Sequence, residues 1–141
     1  MRIECFLDTN VLIYAAMGRL DEPRKFDVAS ALVDSTDFGL SGQVLAEFCV
    51  NAVAQRKDRT PLTETELDLW MGLLGDYPIQ PVDAGLVQMG LAYSRRFRIS
   101  YWDAALIAAA ERLGAPVLYT EDLNHNQLYG SVRVVNPFRP N

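Results

Sequence analysis

Ile99-Ser-Tyr-Trp-Asp-Ala-Ala-Leu-Ile-Ala-Ala-Ala-Glu-Arg-Leu-Gly114 is the clearest helix in the chain. Ala, Leu and Ile fill every position from Ala104 to Ala110, with no polar stripe. A helix that is apolar all round is a buried one. Gly114 supplies a left-handed stop and Pro116 forbids continuation. Ser100 stands at the N-cap position with Asp103 three residues later, so the plain reading is a capping box. That reading leaves open why a carboxylate stands at the mouth of a buried helix with no cation near it in sequence, since such a charge normally acquires a partner.

Working outward from this helix, the chain alternates short apolar runs with helical periods. Residues 3–7 read as a strand buried on both faces, ending at Asp8-Thr9-Asn10, with a helix over 11–16. Helical spacing of Phe26, Ala29, Leu32 and Val33 follows Pro23, and residues 38–41 form a short strand. Ser41 caps a helix over 42–56 that carries Val44, Leu45, Phe48 and Ala52 inward and holds Glu47 one turn from its start. A charged turn, Arg56-Lys-Asp-Arg-Thr-Pro61, leads to a helix opened by Thr63 and Glu66 as a capping box, with Leu67, Trp70, Leu73 and Leu74 as its apolar face. Residues 79–82 are a strand, 83–97 a helix, 117–120 a strand ending at Glu121-Asp122, 124–130 a polar loop and 132–135 the last strand. This alternation predicts an α/β fold: a central, mostly parallel sheet with helices on both faces. No repeat or linker interrupts it, so residues 1–141 are expected to form one domain.

Composition narrows the chemistry. Half of the residues are hydrophobic and 22% are charged, an ordinary globular balance. No apolar run reaches the roughly 18 residues of a membrane span, and the acidic start is too short for a signal peptide. Cys5 and Cys49 lack metal or redox spacing and read as reduced core residues, so a cytoplasmic location is expected. The formal net charge is −5, with 18 acids against 13 Lys and Arg; four acids given to a metal site leave 14, a net of −1. Acidity therefore does not exclude a nucleic-acid substrate reached over a local basic rim. Arg95, Arg96 and Arg98, or Arg56, Lys57 and Arg59, would supply one, although cations at a helix end also suit its dipole.

His125 is the only histidine. It rules out a two-histidine acid–base pair and a His₂ or His₃ zinc site, and a Ser-His-Asp triad would lack its nucleophile elbow. No dinucleotide or Walker A glycine pattern is present. What remains is carboxylates. Sites in parallel sheets lie beyond the carboxyl ends of the strands. Asp8 and Asp122 fall there, and Glu47 and Asp103, in early helical turns, are placed to face the same edge. Singly, each acid has a plain structural role open to it: Asp8, Asp103 and Asp122 as caps, Glu47 as a solvated side chain. Together they offer hard oxygen ligands suited to Mg²⁺ or Mn²⁺, ions that activate water and stabilise charge on a phosphoryl oxygen. Four such carboxylates repel, so at least one should hold its proton above the ordinary range when no metal is bound.

Four blocks, Phe6-Leu-Asp-Thr-Asn-Val-Leu12, Ser41-Gly-Gln-Val-Leu-Ala-Glu47, Tyr101-Trp-Asp-Ala104 and Leu118-Tyr-Thr-Glu-Asp-Leu123, resemble the signature blocks of PIN domains, and most nearly those of bacterial VapC-type toxin ribonucleases. The resemblance spans almost the whole chain in order and spacing. It implies a PIN-like fold and a Mg²⁺- or Mn²⁺-dependent endoribonuclease whose acidic site is Asp8, Glu47, Asp103 and Asp122, with Asp8 and Asp103 as the direct metal ligands. It further implies that Asn10, Ser41 and Thr120 orient acids or water. Glu121 beside Asp122 makes the fourth ligand ambiguous; Asp122 is the choice. An RNA substrate, a small antitoxin protein and a homodimer are the partners implied. Two other classes compete. A phosphohydrolase working through an aspartyl phosphate would use Asp8, but it would want Asp-x-Asp where this chain has Asp8-Thr9-Asn10, and the chain has only Lys25 and Lys57 as lysines. A non-catalytic module binding RNA or a partner would be expected to have lost acids that are all present here.

Overall fold

The structure, a computed structural model, describes residues 2–140; Met1 and Asn141, the ends of the expected domain, lie outside the described residues. The elements run β1 (Cys5–Leu7), α1 (Thr9–Met17), α2 (Pro23–Ser35), β2 (Phe38–Ser41), α3 (Gly42–Val53), α4 (Glu64–Leu74), β3 (Ile79–Gln80), α5 (Ala84–Phe97), α6 (Tyr101–Leu113), β4 (Val117–Tyr119), β5 (Leu128–Tyr129) and β6 (Val132–Val135). The sheet order is β3-β2-β1-β4-β6-β5. Every pairing is parallel except β5 with β6.

This order decides where a site can form. From β1 the chain moves outward to β2 and β3; from β3 it returns across the sheet to β4 and continues to β6. Right-handed crossovers in opposite directions place α1–α4 on one face and α5–α6 on the other. The connection that leaves β1 and the one that enters β4 thus run on opposite faces, so the strand order reverses between these neighbours and a crevice lies at their carboxyl ends. Asp8 follows β1, and Thr120-Glu121-Asp122 follows β4.

The core is built as the apolar patterns demand. All three residues of β1 are buried, as are Leu40, Leu118 and Val134 on the neighbouring strands. Ala104 through Ala110 are all buried, so the middle of α6 is enclosed on every side, while Trp102 in its first turn is exposed. Its small side chains permit close approach: a Cβ on Gly90 of α5 would stand 3.0 Å from Tyr101 Cε1 and 3.4 Å from Ala105 Cα. Gly114 ends α6 at φ 75°, a conformation that costs an L side chain about 1 kcal/mol.

Several boundaries differ from the sequence expectation. The third strand stops at Gln80 because Pro81 has no N–H to continue the ladder. The helix expected over 42–56 stops at Val53. Leu73, expected inward, is 44% exposed, while Leu74 takes the core position. The loop read over 124–130 contains β5, a two-residue strand turned back on β6 at Gly130 (φ 59°), with Tyr129 buried against Phe97. Two residues carry no periodicity, so only the Gly130 turn signalled the hairpin. The box at Thr63 is complete, with Thr63 N–H donating to Glu66 Oε1 at 2.9 Å and Glu66 N–H donating to Thr63 Oγ1 at 3.1 Å.

Candidate active site

Asp8 lies at the crevice and is 4% exposed. Its position as the first residue past a fully buried strand leaves it almost no solvent. Oδ1 accepts from Thr9 N–H at 2.6 Å and caps α1. Oδ2 accepts from the Thr120 hydroxyl at 2.7 Å and from Asn10 Nδ2 at 3.3 Å. Asp8 N–H donates to the Tyr119 carbonyl at 3.1 Å, which extends the β1–β4 pairing to the site. Burial pushes the Asp8 carboxyl up to about 6; the Thr120 and Thr9 hydrogen bonds oppose the rise, and the charges of Asp122 and Glu47 add to it. The raised value was expected from repulsion, but desolvation is the larger cause.

Asn10 and Thr120 join Asp8 to Asp122. Asn10 Nδ2 donates to Asp122 Oδ2 at 3.2 Å, and the fully buried Thr120 hydroxyl accepts from Asp122 N–H at 3.1 Å. Burial, then the charges of Asp103 and Glu121, raise the Asp122 carboxyl above its usual range. Glu121 turns elsewhere: it accepts from Tyr14 Oη at 2.7 Å and pairs with Lys25 Nζ at 3.0 Å.

Glu47 joins from α3. Its Oε2 accepts from the Thr9 hydroxyl at 3.1 Å, and its Oε1 from Gln43 Nε2 at 2.9 Å. Gln43 Nε2 also reaches the Trp102 carbonyl at 3.3 Å, which ties α3 to the first turn of α6 beside Asp103. The capping box proposed for Asp103 is half formed: Ser100 Oγ accepts from Asp103 N–H at 3.1 Å, without the reciprocal side-chain bond that Glu66 makes in α4. The cap therefore accounts for the backbone of Asp103 and leaves its carboxylate free of that duty. Ser41 is 1% exposed and spends its hydroxyl on capping α3, accepting from Val44 N–H at 3.3 Å. Thr9 and Gln43 are site residues that the sequence reading missed; Thr9 stood in plain view between Asp8 and Asn10.

Asp8, Glu47 and Asp122 line one cleft of about 370 Å³. Asp103, expected with them, does not line this cleft; it lies near enough for its charge to raise Asp122. Among the described residues none of these four acids is in an ion pair. Nor, among those residues, do three acidic, cysteine or histidine side chains come close enough together to enclose a metal ion; the acids form a row of bridged pairs. Two observations bear on whether a cation suits this row. The nearly buried Asp8 carboxylate has no counter-charge, and Asn10 Oδ1 is buried without a donor. An all-oxygen donor set with this deficit of positive charge fits a hard divalent cation.

Thr120→Val tests the network without touching an acid. It removes a donor from a buried carboxylate, which costs about 1–3 kcal/mol. The expected result is a melting temperature lower by about 4–10 °C in chelator at pH 8.

No curated protein matches the sequence. Solved structures share its fold. A toxin–antitoxin complex from Klebsiella pneumoniae contains a chain 17% identical, with TM-score 0.68 over 95% of this chain and 98% of that one. FitAcB from Neisseria gonorrhoeae is 21% identical, with TM-score 0.62 over 96% and 99%. A VapC toxin of Mycobacterium tuberculosis described as cleaving the sarcin–ricin loop is 18% identical, with TM-score 0.64 over 84% and 92%. The family model for the PIN domain matches residues 5–130. With that match over most of its length, the chain belongs to the PIN domain family.

Proposed function

We propose that this protein is a Mg²⁺- or Mn²⁺-dependent endoribonuclease and the toxin of a toxin–antitoxin pair. The observation that carries the reading is the Asp8 carboxylate, nearly buried at the β1–β4 crevice without a cation and bridged to Asp122 through Asn10 and Thr120. A bound divalent ion would polarise a phosphoryl oxygen and lower the pKa of a water. Asp8 and Asp103, the direct ligands that the resemblance implies, would hold it together with Asp122, and Glu47 would complete the acidic row. Thr9 and Gln43 fix both Glu47 oxygens. Glu47 is thereby aimed by two donors, as a group that orients water must be. Thr120 and Asn10 set the Asp8 carboxylate in one orientation, so little reorganisation is left for the moment of reaction.

The partner reading rests on charge and on exposed apolar surface. A row of unpaired acids attracts an Arg or Lys of a small antitoxin, and Val50, Val53, Leu69 and Leu73 on α3 and α4 are exposed, a candidate surface for that antitoxin or for a second copy in a homodimer. The similar chain from Klebsiella belongs to a toxin–antitoxin complex, which supports such pairing. An aspartyl-phosphate mechanism is less well supported, because both Asp8 oxygens are engaged and Lys25 is committed to Glu121 and Tyr14.

The test is cleavage of cellular RNA in Mn²⁺ and in chelator, with two neighbouring variants. Asp122→Asn should lower the rate at least about tenfold, as loss of a ligand or its support does. Glu121→Gln should change it less than about threefold, since Glu121 serves the Lys25 contact. Equal losses would make Glu121 part of the site, and cleavage undiminished in chelator would reject the metal-dependent reading.

A further inference from the structure

We infer that Arg59 is the phosphate-binding residue of this cleft, receiving a backbone phosphate of the RNA strand whose neighbouring linkage lies at the acids. The inference rests on the ribonuclease reading above and assigns the positive side of the same cleft.

Five arginines compete for that role. Arg95, Arg96 and Arg98 end α5, and none of them lines the cleft. Arg56 and Arg59 both line it. Arg56 is exposed and already neutralised: its Nε and Nη2 donate to the two Asp58 oxygens at 3.0 and 3.2 Å. Arg59 is different. Its Nη2 donates to the Asn51 carbonyl at 3.0 Å, its Nε is buried without a partner, and among the described residues it is in no ion pair. Burial pulls its pKa below the usual arginine value, and the Arg56 charge adds to that. The guanidinium nonetheless stays charged at neutral pH.

Arg59 is thus a cation held in place without an ion pair among the described residues; the charge of Asp58 reaches it, but the Asp58 oxygens are bonded to Arg56. Keeping a charge partly out of water with no partner is costly, and the cost is offset when an anion arrives. Three of its four terminal N–H donors remain unused, in a planar group that suits two phosphate oxygens. The residue that holds it is itself fixed to the helix turn that carries Glu47. Asn51, whose carbonyl fixes Arg59, donates through Nδ2 to the Glu47 carbonyl at 2.8 Å. Consecutive turns of α3 therefore set an acid and an arginine in one cleft. A strand gripped at Arg59 has its register fixed relative to the acids, which is what phosphate contacts supply in nucleic-acid recognition.

The experiment measures steady-state cleavage, in Mn²⁺, of an RNA that the wild type cuts, over a range of KCl. Arg59→Ala should raise KM about tenfold with a smaller change in kcat. It should also flatten the dependence of log KM on log salt by about 0.7, the loss of one single-strand phosphate contact. Arg59→Lys should restore most of the salt slope and only part of the affinity, since a lysine charge lacks the fork. Arg56→Ala should move both quantities less than half as far. If the wild type cuts RNA and Arg59→Ala leaves KM and slope unchanged, Arg59 is not the phosphate contact and the ribonuclease reading stands. If Arg59→Ala lowers only the melting temperature and the active fraction, its role is structural and the inference fails. A wild-type protein that cuts no RNA overturns both.

Discussion

Asp8→Asn is expected to lower RNA cleavage at least about a hundredfold while leaving the fold intact. The change removes one charge from the most buried acid of the row, and with it most of the pull on a divalent cation. The backbone role survives, because an amide oxygen still accepts from Thr9 N–H and so still caps α1. The Thr120 hydroxyl can rotate to accept instead of donate. The Asn10 amide can turn its unpartnered Oδ1 toward the new amide. Asp103→Asn should lose activity on the same scale with still less disturbance, since the α6 cap is made by Ser100 to the Asp103 backbone. Either variant cutting at the wild-type rate under limiting metal would sink the assignment of its residue. Circular dichroism and thermal melts separate a lost site from a lost fold.

The sequence was legible where a pattern was long or a residue type was constrained. α6 announced itself because seven consecutive small or aliphatic residues between Ser100 and Gly114 admit one reading, a capped and buried helix. Asp8, Glu47 and Asp122 were legible as one cluster because a parallel sheet can gather carboxylates only at its carboxyl edge, and the structure brings all three into one cleft. What stayed hidden was decided by contacts between distant segments. Nothing near Glu121 says that it turns to Lys25, which comes from α2, 96 positions earlier. Nothing near Asp103 says that its carboxylate leaves the capping box unfinished. The Arg56 to Arg59 turn read as an undivided basic cluster; only its folding splits it into Arg56, paired with Asp58, and Arg59, anchored to Asn51. β5 was lost for the opposite reason, being too short to carry any period.

The second large effect concerns stability and pH, and it needs no substrate. The Asp8 carboxyl is raised from 3.8 to about 6 in the folded protein, chiefly by burial. The folded state therefore holds this proton more tightly than the unfolded chain does. The stability it contributes is fully present below about pH 3.8 and is lost as pH rises through about 6. A shift of about two units corresponds to roughly 3 kcal/mol, so in chelator the wild type should lose stability on this account between pH 4 and pH 8. Asp122, shifted in the same direction, adds to the trend. Asp8→Asn abolishes the titration, so its stability should vary less over that range, and at pH 8 in chelator it should exceed the wild type by about 1–2 kcal/mol. That difference is about 3–7 °C in melting temperature. Millimolar Mn²⁺ should reverse the order, because an ion that binds only the folded state stabilises it by mass action and the variant has lost a principal ligand. The Mn²⁺ effect on the wild type should shrink below about pH 6, where proton and metal compete for Asp8. Melts of the two proteins at pH 5, 6, 7 and 8, each in chelator and in Mn²⁺, measure all of this. Equal Mn²⁺ shifts in wild type and variant would remove Asp8 from the metal site. A wild-type protein no less stable than Asp8→Asn at pH 8 in chelator would show that the Thr9, Asn10 and Thr120 hydrogen bonds already compensate its buried charge.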